Sequence, residues 1–119
     1  MAAECCPHDV NVCIARYSDE HFDYAFKQYN GVDAQDLSGW SFLFQVRTTA
    51  GTSVVSLTNS GLTIGTTAGT VRASLTDSHT SALTDSEYYA GLLVTKSDGE
   101  QWAHPDRLVL TLYTPTAHP

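Results

Sequence analysis

Lysine and arginine are scarce in this chain: six, against 13 aspartates and glutamates, for a formal charge of −7. A nucleic-acid partner needs a basic face to neutralise phosphates. Six cations spread thinly over 119 residues do not supply one. The same shortage argues against an anionic membrane surface as partner. Long apolar runs are missing too, and nothing approaches the ~18 residues that span a bilayer. Met1 to Asp9 carry neither the basic stretch nor the apolar stretch of a secretory signal. The expectation is a protein made and kept in a cytosol, or released by lysis. Cysteine is sparse: Cys5, Cys6 and Cys13 are odd in number and crowded at one end, which argues against a disulfide framework.

What the chain does have is alternation. Trp40, Phe42, Phe44 and Val46 fall on one side of a strand, and Ser41, Leu43, Gln45 and Arg47 on the other. Period-2 alternation with aromatic and β-branched residues on one side marks a half-buried strand. The same pattern recurs at about 9–16, 21–28, 53–58, 62–64, 70–75, 87–96 and 107–113, with 101–102 as the start of the last strand. Turn signals lie between them: Asn30-Gly31, Asn59-Ser60-Gly61 and Ser97-Asp98-Gly99. Residues 77–83 break the alternation, and Asp77 or Ser78 is placed to cap a single helical turn that sends Leu83 inward. Short strands at this spacing, with no long helix, predict an antiparallel β-sandwich of seven or eight strands. Its core includes Trp40, Phe42, Phe44, Val46, Leu92 and Leu110. Trp40 is expected as a plug between the sheets, and Arg47, on the polar side, is expected to pair with an acidic neighbour. Residues 1–8 read as an N-terminal arm, 9–113 as the one domain, and 114–119 as a C-terminal tail.

Asp36-Leu37-Ser38-Gly39 leads into the Trp40 strand. Asp36 and Ser38 are suited to bonding their own backbone, and Gly39 to a bend before the strand. Val54–Leu57, Leu62-Thr63-Ile64, Gly69-Thr70-Val71, Tyr88-Tyr89-Ala90-Gly91-Leu92, Asp98-Gly99 and a closing strand follow in that order. The series, from about residue 9 to residue 113, resembles the small Ig-like β-sandwich domains of tailed-phage virion proteins. Those include the N-terminal domain of upper baseplate proteins and the collar proteins that hold side tail fibres. Ser86-Glu87 and Ala90-Gly91 depart from that pattern. The resemblance implies an Ig-like fold, no enzymatic activity, no cofactor, and a place in the virion.

Residues capable of chemistry are few. Cys5, Cys6, His8 and Cys13 are soft ligands, but their spacing matches no zinc finger. The plainer reading is an arm followed by a buried Cys13 on the first strand, with no metal. Asp77-Ser78-His79 lacks the strained turn of a hydrolase nucleophile. Asp77, Asp85, Asp98 and Glu100 lack the dense alternation of a calcium loop. His104-Pro105-Asp106 matches the tripeptide of J-domain cochaperones, but it stands between strands and reads as a loop. His8, Trp102 and Tyr113 are candidate interface residues. Trp102 with Tyr88, Tyr89 and Tyr113 would make a sugar-stacking platform if exposed together.

The function expected is therefore structural. The leading reading is a tail, collar or baseplate adaptor that assembles as a homo-oligomer and holds tail or fibre proteins. A capsid decoration protein bridging major capsid subunits is the alternative. A carbohydrate-binding module for host glycans is a further one.

Overall fold

Alternation produces strands along nearly the whole chain. The computed structural model describes residues 8–28 and 31–117, and there nine strands form two sheets. The larger sheet contains β1 (His8–Ala15), β3 (Ser41–Thr48), β4 (Ser53–Leu57), β7 (Glu87–Thr95), β8 (Gln101–Ala103) and β9 (Asp106–Tyr113). The smaller contains β2 (Glu20–Ala25), β5 (Leu62–Gly65) and β6 (Thr70–Leu75). The order across the larger sheet is β1-β9-β7-β3-β4, and across the smaller β2-β6-β5. β8 and β9 pair with successive halves of β7, so they are one lane broken at His104-Pro105. This strand order is an all-β, Ig-like sandwich, with β4 as the added edge strand of the variable type.

One pairing departs from the antiparallel expectation. β1 runs parallel to β9, with His8 opposite Asp106 and Ala15 opposite Tyr113. No hairpin joins these two strands, so nothing local sets their relative direction. His8 belongs to β1, so the sandwich starts one residue earlier than the alternation suggested.

Phe42, Phe44 and Val46 of β3 are buried with Leu92 of β7 and Leu110 of β9. They face Phe22 and Tyr24 of β2 and Val71, Ala73 and Leu75 of β6 across the sandwich. Phe44 is the central plug: it stacks on Phe22 at 5.8 Å and meets Tyr24 edge-on at 6.4 Å. Trp40 does not fill that role. It lies before the first ladder pair, Ser41 with Thr95, and is only half-buried. There it touches Phe26 and Phe42 at the rim, beneath the Lys96 ammonium at 5.9 Å. The cause is the turn before it. Asp36 Oδ1 accepts bonds from the Ser38 N–H (3.0 Å) and hydroxyl (2.7 Å). Gly39, at φ +79°, then swings the chain in from the end of the sandwich.

The opposite end is closed by a corner. Helix α1 (Asp77–Ser81) is capped by Thr76, one residue ahead of the expected caps. The Thr76 hydroxyl accepts from the His79 N–H while His79 Nδ1 accepts from the Thr76 N–H. The Tyr88 hydroxyl accepts from the Asp85 N–H at 2.8 Å, the tyrosine corner of Ig-like sandwiches. Arg16 donates to the carbonyls of Leu83 (2.7 Å) and Asp85 (2.7 Å), tying β1 to that corner.

Candidate functional site

The outward side chains of the larger sheet form the site. On β7 they are Glu87, Tyr89, Gly91 and Leu93; on β3, Leu43, Gln45 and Arg47. Val109 lies opposite Tyr89 on β9, and Ala103 opposite Leu93 on β8. Gly91 is at the centre, opposite Gln45. Because it has no side chain, the sheet is dished there, leaving a mostly apolar depression of about 310 Å³. Leu43, Leu93, Tyr89 and Ala103 line it, with Arg47 and Arg107 at its sides.

Gly91 is not there for the fold. Its backbone has no positive φ, and a Cβ built on it would meet nothing within 4 Å. Glycine inside a central strand weakens it, and commonly marks a place where another molecule comes close.

The two arginines are held differently. Arg107 lies over the Tyr89 ring at 4.4 Å and forms a two-pronged pair with Asp9, at 2.9 and 3.0 Å. Arg47 has no acidic partner among the described residues, contrary to expectation. It donates instead to the Gly51 carbonyl at 2.8 Å and to Gln45 Oε1 at 2.7 Å. Gln45 stands two residues before Arg47 on the same face of β3, and Gly51 lies in the turn between β3 and β4, so both neutral acceptors are within reach.

At the upper rim, His104 sits at the break between β8 and β9. Its ring packs against Tyr24 (4.9 Å) and Phe26 (5.8 Å), and its Nδ1 accepts from the Asp106 N–H at 3.1 Å. Burial holds its imidazole below the ordinary value, partly opposed by the charge of Asp106. Burial likewise pushes the Tyr24 phenol well above its ordinary value. The Tyr24 hydroxyl makes no hydrogen bond among the described residues.

The other candidates do not converge here. Trp102 is half-buried against the core, whereas Tyr113 is 52% exposed. They lie at opposite ends of one strand lane, roughly 30 Å apart at strand rise, so they make no common platform. Tyr88 is in the core and only Tyr89 faces the site. Cys13 is exposed on β1 and free, not buried, because it alternates with the inward Val12 and Ile14. Cys5, Cys6 and the His8 side chain lie outside the described residues. His79 serves the α1 cap, and among the described residues no three of His, Cys, Asp and Glu gather as a metal site.

No protein-family profile matches the chain, and no curated protein does. Solved structures with a similar course include CopC from Methylosinus trichosporium OB3b, at 14% identity and a TM-score of 0.48, over 95% of this chain and 92% of that one. Murine CRIg is similar at 14% identity and 0.45, over 90% and 93%. The first Ig-like domain of human CD48 antigen is similar at 12% identity and 0.45, over 95% and 88%.

Gly91 carries no reactive or ligating group and so is not among the sequence candidates. Its signal was readable: a glycine on the outward register of a strand otherwise built of Tyr, Leu and Val.

Proposed function

We propose that this chain is a non-enzymatic structural protein of a bacteriophage virion, a tail, collar or baseplate adaptor that assembles as a homo-oligomer and holds neighbouring virion proteins. The virion setting rests on the resemblance carried by the Asp36–Arg47 and Tyr88–Leu92 segments. The observation that carries the adaptor role is the Gly91 depression. It gives up strand stability to leave an open, mostly apolar face bordered by Arg47, Arg107, His104 and Asp106.

Self-assembly is supported by an edge. β4 reads Ser-Val-Val-Ser-Leu, with no charge, proline or glycine. Among the described residues the other edge strands are less open: β1 carries Asp9, β2 carries Glu20 and Asp23, β5 has four residues ending in glycine, and β8 has only three residues. Edge strands without charges or proline pair with other strands, and the bulge in β4, which leaves Val54 without an opposite residue on β3, is confined to the start of that strand. Antiparallel pairing of two β4 strands about Val55 keeps Val55 and Leu57 on the inner side and Val54 and Ser56 on the outer side of both copies.

Size-exclusion chromatography with light scattering tests this on the full chain. The wild type is expected as an oligomer, and Val54→Lys as a folded monomer, since Val54 is already 45% exposed. A wild type that stays monomeric at every concentration would remove self-assembly. It would shift weight to the capsid-decoration reading, in which the particle is the template.

A further inference from the structure

We infer that the protein held on the outer face offers an extended acidic segment, with an apolar side chain in the Gly91 depression and a carboxylate two residues away on Arg47. The inference rests on the adaptor reading above and names the chemistry of what is held.

Charge is the first argument. Among the described residues Arg72, Lys96 and Arg107 each pair with a carboxylate of this chain. Arg16 is bonded to carbonyls and a hydroxyl at the far corner, and Lys27 does not line the depression. Arg47 is left on the face with two neutral acceptors. A guanidinium has five N–H donors, so three remain for a ligand. The Gln45 and Gly51 bonds also fix its plane, which lowers the entropy lost when a partner binds. A carboxylate is the acceptor that matches this fork best.

Spacing is the second. Gly91 is opposite Gln45, and Arg47 is opposite Tyr89. Gly91 and Arg47 are therefore diagonal neighbours, about 7–8 Å apart. An extended segment presents side chains on one face every ~6.6 Å. An apolar residue over Gly91 thus places residue i+2 at Arg47. On the other flank, Arg107 is already neutralised by Asp9. This makes the Arg47 side the attractive one for an acid.

The probe is a surface array of end-blocked heptapeptides, threonine throughout except for one leucine and, two residues later, glutamate, glutamine or lysine. Full-length wild type, Arg47→Gln and Gly91→Val are passed over it, with circular dichroism as the check that each is folded. The wild type is expected to be retained at least ~10-fold better by Leu-x-Glu than by Leu-x-Gln, a margin in the range of one charge-assisted bond. Arg47→Gln is expected to lose the preference for glutamate but keep the need for leucine. Gly91→Val is expected to lose both. Equal retention of glutamate and glutamine peptides, abolished by Gly91→Val, would overturn the acidic chemistry and leave the docking face standing. A glutamate preference that survives in Arg47→Gln would overturn it as well. Absence of retention in every case would remove both. Dissociation of the wild-type oligomer by Gly91→Val would assign the face to a second copy and overturn the inference.

Discussion

Gly91→Val separates what the fold needs from what the face is for. Most substitutions in a central strand destabilise, but this one is expected to stabilise. Valine and glycine lie near opposite ends of a β-propensity range of ~1 kcal/mol. Glycine also gives up more backbone freedom on folding than any other residue, about 0.5–1 kcal/mol against alanine. The gain is reduced by the rotamer freedom the new side chain loses. The new Cβ itself meets no clash, having open space to 4 Å, and the γ-methyl groups extend toward the depression. The net expectation is about 1 kcal/mol of added stability, or roughly 4 °C in Tm for a domain of this size. The isopropyl group would stand where the depression now is. A partner side chain excluded from it forfeits ~1.5–3 kcal/mol of burial, so affinity for that partner should fall roughly 10- to 100-fold. Scanning calorimetry and the leucine–glutamate peptide array are the paired assays. A lower Tm would refute the reasoning, since it would mean that the outer face is closed and Gly91 is structural. A higher Tm with unchanged binding would show that the depression is not where the partner docks.

Two further outcomes follow from the core and from the rim. Phe44→Ala is expected to cost about 3–5 kcal/mol through the cavity it leaves, and Trp40→Ala less than half as much, because Trp40 is only half-buried at the end of the sandwich. Urea denaturation of both variants checks this, and equal losses would restore Trp40 as the plug. The His104 imidazole is held below its ordinary value in the folded state. The unfolded chain therefore takes up its proton first as pH falls. The stability tied to neutral His104 is full above about pH 6.5, the unfolded value, and declines below it toward the folded value. Protonation of Nδ1 would also break the bond from the Asp106 N–H. Melting curves between pH 7.5 and pH 5 should show a decline that is smaller in His104→Gln; an identical decline would mean that other groups cause it.

The strands were legible because a half-buried strand writes its period directly into the side chains, and Phe42, Phe44, Val46, Leu92 and Leu110 are buried where alternation puts them. Alternation counts residues but carries no information on where a ladder begins. Trp40 keeps the register of Phe42 yet lies one residue outside the β3–β7 ladder, because Gly39 turns the chain there. The direction of β1 against β9 was illegible for a related reason: no turn joins them, and parallel and antiparallel pairing bury the same Val10, Val12 and Ile14. Arg47 was placed correctly on the outward side, but its partners are its same-face neighbour Gln45 and the carbonyl of a tight turn, and a period-2 pattern does not say which acceptor a long side chain reaches. The Gly91 depression was missed for a different cause. Searches for function look for side chains that react, ligate or stack, and so they pass through Cys5, His79, His104 and Trp102. A docking face on a sheet is made instead by removing a side chain, and it appears in the sequence only as an outward glycine among Tyr89, Leu93, Leu43 and Ala103. Neither backbone conformation nor packing requires glycine at that position, and the docking of a partner proposed above is what would account for the stability it forgoes.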